Sequence, residues 1–284
     1  MRKIENFLIL LFLSLAVSNC DTKKSYFDDI TLSVFCYSFA ACNGQTPARI
    51  GMIGDSWTDL LVGYPLVDTL RVQLEKNHSY NITGATLGGR TLDDAISQGL
   101  HYQVIDQTGP SVSVMLLSLG GNDLLTNVSD YYNQLDSVRT SRLNKLKAQI
   151  KNIIQTGNAY KISKYGGSPL KWVMHGYDYA NINMPPLVTG LTYGCKASYV
   201  SAGFTATEAE SISQSTLDAF NTMLKSITSE EPTFYYVDMR RTLGGPPASN
   251  AQYMLDCIHP NNLGFQILGN QLSTLISPIT GIGQ

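Results

Sequence analysis

A chain of 284 residues with 43% apolar and only 15% charged residues can bury a large core, which excludes a disordered or low-complexity protein. Its formal net charge of −2 and the lack of any basic block exclude nucleic acid, or an anionic membrane surface, held by bulk electrostatics. Neither a heptad run nor an internal repeat is present, so coiled coils and solenoids are excluded as well.

Arg2 and Lys3 open the chain ahead of the apolar run Phe7 to Val17, which is short for a bilayer span and has the length of a signal-peptide core. It ends Leu15-Ala16-Val17-Ser18-Asn19-Cys20, which resembles a bacterial lipoprotein signal with Cys20 as the lipidated first residue of the mature protein. Asn19 departs from the usual small residue, and ordinary secretion with cleavage nearby is the alternative. Either way an exported protein is expected, anchored in a bacterial cell envelope or else secreted or periplasmic. Residues 1–19 read as the signal, 20–46 as a tether and lead-in, and 47–284 as one domain. Cysteine usage suits an oxidising compartment. With Cys20 set aside, Cys36, Cys42, Cys195 and Cys257 allow three pairings. Cys36–Cys42 closes a short local loop, which leaves Cys195–Cys257. The histidines (His78, His101, His175, His259) are scattered and no CxxC or HxxxH spacing occurs, so metal binding is the weaker reading of these residues.

The first clear element is Ala48 to Ile53, an apolar run entering Gly54-Asp55-Ser56-Trp57. It predicts a buried parallel strand with a hydroxyl at its carboxyl end, where ligands collect in open α/β sheets. Thr58 to Lys76 has mostly helical spacing, with Pro65 starting or interrupting the helix, so Ser56 is expected beside a helix N-terminus. Tyr80 to Thr83 predicts a short strand opening into Gly84-Ala85-Thr86-Leu87-Gly88-Gly89-Arg90-Thr91, and an amphipathic helix begins near Leu92. Val112 to Leu119 is the strongest strand pattern, followed by Gly120-Gly121-Asn122-Asp123. A helix is expected over about Tyr131 to Gln155, with Gly157 and Gly166-Gly167 marking the turn into a strand at Lys171 to Gly176. From Tyr177 to about Phe204 no period is sustained, which suggests a lid or binding loop. Its residues Tyr177, Tyr179, Met184, Pro185, Pro186, Leu187, Tyr193 and Tyr199 suit an acyl pocket, an aromatic sugar platform or plain packing on the core. Thr207 to Thr228 predicts a helix capped by Thr205 or Thr207, Thr233 to Val237 a fifth strand, and Pro260 the start of a last helix to about Ser277. Five strands alternating with helices predict one three-layer α/β domain with a parallel sheet.

Serine needs an adjacent base that is itself oriented before it can act as a nucleophile. Asp256-Cys257-Ile258-His259 offers both partners in compact form, since a three-residue separation in a turn puts the two side chains on one side. Asn122, after the best strand, suits an amide donor to an oxyanion, and the Gly88-Gly89 turn offers a backbone N–H unobstructed by a side chain. Each fragment has a plain reading beside the chemical one: a helix cap at Asp55 or Ser56, a surface Asp256–His259 hydrogen bond, and a common Gly-Gly-Asn turn.

Taken in order, Gly54-Asp55-Ser56, the glycine turn at Gly89, Gly121-Asn122-Asp123 and Asp256-x-x-His259 resemble the four signature blocks of the SGNH (GDSL) hydrolases over about Ile50 to Ser277. The resemblance implies a flavodoxin-like fold with a five-stranded parallel sheet and a cofactor-free enzyme of the esterase or lipase type, acting on a small-molecule, lipid or glycan ester. It implies Ser56 as nucleophile, His259 as base and Asp256 as its partner. The Ser56 and Gly89 N–H groups and the Asn122 amide would form the oxyanion hole. Trp57 stands where Leu is commoner, the two adjacent glycines leave Gly88 as an alternative donor, and Cys257 is unusual in the last block. The same acyl-enzyme would serve an acyltransferase, and a noncatalytic surface lipoprotein retaining the fold is a further alternative.

Other chemistries fit less well. Gly84-x-x-x-x-Gly89-Arg90-Thr91 approximates a phosphate-binding loop but has Arg where Lys is required. No G-x-S-x-G elbow occurs, against an α/β-hydrolase, and no carboxylate pair points to a glycosidase. The sequons at Asn77, Asn81 and Asn127 would matter only in a eukaryotic secretory pathway.

Overall fold

The structure, a computed structural model, describes residues 50–60, 67–187, 190 and 194–281. The expected signal 1–19, Cys20, the tether 20–46, the pair Cys36–Cys42, Pro65 and Tyr193 lie outside the described residues. Strands β1 (Ile50–Gly54), β2 (Ile82–Thr86), β3 (Val114–Ser118), β4 (Lys171–His175) and β5 (Phe234–Val237) form one sheet in the order β2-β1-β3-β4-β5. All four pairings are parallel. β1 and β3 are buried along their whole length, which explains why they read as unbroken apolar runs: both faces of an inner parallel strand are covered by helices.

Eight α-helices, with three short 3-10 turns, complete the described architecture: α1 (Leu70–His78), α2 (Leu92–Ser97), α3 (Leu100–Thr108), α4 (Gly121–Leu125), α5 (Leu135–Tyr165), α6 (Lys196–Ser201), α7 (Ala206–Ile227) and α8 (Asn262–Thr280). α1 packs on α8, while α3 and α7 both pack on α5. The two groups, with the sheet, make the three expected layers. Thr91 and Thr205 begin α2 and α7 with full capping boxes closed by Asp94 and Glu208, each satisfying otherwise unpaired backbone donors.

Ile50 aligns with Ile82 on one side and Val114 on the other, and Gly54 with Thr86 and Ser118. The three strands therefore end flush. The segments leaving them emerge at one edge, beside the point where the chain, having run outward to β2, returns to β3 on the other side of β1. Such a switch point is where open α/β sheets hold their ligands.

Several local expectations need correction. No helix begins directly behind Ser56: Ser56-Trp57-Thr58 is a turn, and the next helix among the described residues, within the expected Thr58 to Lys76, starts at Leu70. Gly157 does not punctuate a turn. It lies inside α5, which runs on to Tyr165, because a Cβ there would come within 2.5 Å of the Trp172 indole. Pro260 sits before the last helix instead of opening it, and Asn261 is the cap, accepting from Gly264 N. Among the described residues the segment after Tyr177 forms no aromatic platform: Tyr177, Tyr179 and Tyr199 are buried, and Lys196–Ser201 is helical.

Candidate active site

Gly54 ends β1 with room for a tight turn, since a Cβ on it would lie 2.0 Å from Thr58 Oγ1. Thr58 folds back there, its N–H and hydroxyl both donating to Asp55 O at 3.0 and 2.9 Å. Asp55 N donates to Ser118 O at 3.0 Å, continuing the β1–β3 pairing, and Trp57 N donates to Asp55 Oδ1 at 3.0 Å. These bonds hold Ser56 at the head of the strand by local geometry.

His259 reaches the same place from the other end of the chain. The turn before α8 is closed by Leu255 N donating to His259 O at 2.8 Å. Asp256 Oδ1 accepts from the N–H groups of Ile258 (2.8 Å) and His259 (2.6 Å), and its Oδ2 accepts from His259 Nδ1 at 2.7 Å. With Nδ1 carrying the proton, Nε2 is left as an acceptor, and Ser56 Oγ donates to it at 2.8 Å across 203 residues of sequence. Burial pushes the Asp256 carboxyl up, but the His259 ring and the two backbone donors outweigh it and hold the group below its ordinary value. The structure thus brings Ser56, His259 and Asp256 into one hydrogen-bonded chain, all three residues being buried.

Asn122 follows β3 at the start of α4, and with Ser56 it lines a small cavity of about 30 Å³ whose apolar wall includes Leu125, Tyr177, Leu217 and Ile258. Its Nδ2 donates to Arg90 O at 2.9 Å, which aims the amide and leaves its second hydrogen unspent. Arg90 N in turn donates to Leu87 O at 3.3 Å, closing a turn with Gly88 and Gly89 at its centre. Gly89 has φ 78°, the left-handed conformation that glycine adopts without strain; Gly88 is not among the positive-φ residues. Gly89 is exposed at the sheet edge but does not line the cavity. The phosphate-loop reading of this stretch fails: Gly84 is inside β2, and the Arg90 guanidinium turns back onto the Ala85 carbonyl.

Two supports were not assigned by the sequence, and a third, the pairing of Cys195 with Cys257, was expected from it. Tyr177 donates from its hydroxyl to Asp55 Oδ2 at 2.5 Å. Burial raises the Asp55 carboxyl to about 6, against the lowering effects of that hydroxyl, the Trp57 N–H and the His259 charge. Asp123 accepts the first N–H of α2, from Leu92, at 3.2 Å, so the carboxylate beside Asn122 pins the glycine turn's helix to the end of β3. The sulfurs of Cys195 and Cys257 lie at bonding distance, 1.91 Å, linking the start of α6 to the turn carrying Asp256 and His259. Only the last had a sequence signal, the parity of the cysteines; Tyr177 and Asp123 had none beyond adjacency to a motif. Among the described residues no group of three or more His, Cys, Asp or Glu is placed to hold a metal ion, and no helix is long and apolar enough to cross a membrane.

The family model of the GDSL-like lipase/acylhydrolases matches residues 52–267. The chain belongs to that family. Solved structures with the fold of this GDSL-like acylhydrolase include a lipase from a goat rumen metagenome, with a TM-score of 0.53 at 14% identity over 79% of this chain and 95% of that one. An acetyl-xylooligosaccharide esterase from Geobacillus gives 0.51 at 16% over 81% and 94%, and a lipase/acylhydrolase from Enterococcus faecalis 0.51 at 12% over 81% and 96%. No curated protein sequence matches this GDSL-like acylhydrolase.

Proposed function

We propose that this chain is a serine ester hydrolase in which Ser56 is the nucleophile. Ser56 Oγ attacks the acyl carbon while His259 Nε2 takes its proton; Asp256 keeps the other ring nitrogen protonated and balances the imidazolium. The oxygen of the tetrahedral intermediate is met by the Asn122 Nδ2 hydrogen that Arg90 leaves free, together with the backbone N–H groups of Ser56 and Gly89. Collapse passes the proton from His259 to the departing alcohol and leaves an acyl-serine, which water cleaves by the same steps in reverse. The observation that carries this reading is the 2.8 Å contact between Ser56 Oγ and His259 Nε2, with the 2.7 Å contact to Asp256 behind it. The N-terminal segment belongs to the same reading as an export signal, with Cys20 as its lipid acceptor.

A cavity of about 30 Å³ beside Ser56 holds little more than one small group, so a short ester is the substrate to use. Purified protein should hydrolyse p-nitrophenyl acetate and be labelled once by a fluorophosphonate. Ser56→Ala should remove labelling and lower hydrolysis by about 10⁴-fold or more with an unchanged circular dichroism spectrum. Labelling or hydrolysis that survives in the variant overturns the assignment.

A further inference from the structure

Trp57, where this chain departs from the commoner Leu, joins the two halves of the site. Its backbone lies in the turn that carries Ser56, and its indole Nε1–H donates to Ile258 O at 3.1 Å, 201 residues away. Ile258 immediately precedes His259, and its own N–H is held by Asp256 Oδ1 at 2.8 Å. The ring is buried and fixed from three directions. His175 stacks on it with ring centres 5.9 Å apart, while Tyr177 and Phe265 meet it edge-on at 4.9 and 5.9 Å. His175 lies at the end of β4, Tyr177 two residues beyond it, and Phe265 in α8, so sheet and last helix both orient the indole. Leu or Phe in the same space could fill it but could not donate.

We propose that Trp57 is a positioning residue: its indole N–H staples the base-bearing turn to the nucleophile-bearing turn and sets the distance between Ser56 Oγ and His259 Nε2. The proposal rests on the serine hydrolase reading above and adds to it a residue acting through the Ile258 carbonyl. Trp57 and Ile258 also line the cavity beside Ser56, so a change of shape at position 57 can alter KM, whereas loss of the N–H alone should act on the rate of serine attack.

The test compares wild type with Trp57→Phe, Trp57→Leu and a chain carrying 3-benzothienylalanine at position 57, which keeps the bicyclic shape and replaces only the N–H by sulfur. The readouts are kcat and KM for p-nitrophenyl acetate, the second-order rate of fluorophosphonate labelling, and the thermal midpoint. A displaced base costs rate steeply. All three variants should lose about tenfold in kcat and in labelling rate, and the benzothienyl chain, which keeps the cavity wall, should keep KM within about twofold and melt close to wild type. If that chain matches wild type in both rates, the staple is refuted and Trp57 only fills space. The same holds if the Phe and Leu variants fall in melting temperature but keep wild-type rates below it. A wild-type protein that resists the fluorophosphonate altogether refutes the hydrolase reading instead, so the two failures are distinguishable.

Discussion

Joining Cys195 to Cys257 closes a loop with a sequence separation of 62. On the chain-entropy account, releasing such a loop restores freedom to the unfolded ensemble equivalent to about 4 kcal/mol at 25 °C. The double variant Cys195→Ala/Cys257→Ala is therefore expected to lose about that much, which for a domain of this size lowers the melting midpoint by about 10 °C. Urea unfolding followed by circular dichroism measures it, with the unreduced wild type first digested and its linked peptides identified by mass. Activity should respond less. Asp256 Oδ1 holds the Ile258 and His259 N–H groups, and Asn181 N donates to Cys257 O at 3.0 Å, none of which needs the sulfurs. Below the melting range kcat should stay within about tenfold of wild type. Equal unfolding midpoints for the two proteins would refute the entropic argument, and free thiols in the unreduced wild type would remove its premise.

Asn122→Ala should reduce kcat for a short ester by about 10² to 10³-fold with little change in KM, as loss of an oxyanion donor does; a lower melting point with normal kcat would mean the amide serves only to hold Arg90 O. Gly157→Ala should destabilise by about 1–3 kcal/mol despite alanine's better helix propensity, because the new methyl meets a buried Trp172 whose Nε1 is tied to Asn158 Oδ1 at 3.0 Å. A thermal melt at or above wild type would contradict it. Asp55, buried and raised to about 6, binds its proton more tightly folded than unfolded, so its contribution is fully present below about pH 4 and is lost as pH rises through 6. The stability advantage of wild type over Asp55→Asn should accordingly shrink by about 3 kcal/mol between pH 4 and 7; a difference flat in pH argues that Asp55 titrates alike in both states.

How far these features could be read beforehand differs from one to the next, for physical reasons. β1 and β3 announce themselves because both faces are covered, and no polar residue interrupts Ile50–Ile53 or Val114–Leu117. Asp256 and His259 are close in sequence and so could be paired before any coordinates. Gly157 was misleading because the same absence of a side chain serves a turn or a close helix–strand approach, and only Trp172, 15 residues on, decides between them. The helix expected over Thr58 to Lys76 is present from Leu70, while hydrogen bonds from Thr58 and Asp59 to Asp55 O wind the stretch directly behind Ser56 into a turn. The Trp57 bond to Ile258 and the Tyr177 bond to Asp55 had no local trace, since each depends on where distant segments dock.

Ser56 follows the first described strand, and His259 precedes the last described helix. Their encounter requires every intervening layer to be in place. A chain in which α8 has not yet docked on α1 holds the hydroxyl and the imidazole on separate pieces, however well the sheet has formed. Turnover would then count finished molecules, and the recovery of hydrolysis after dilution from denaturant would time the final docking step, not the collapse that precedes it.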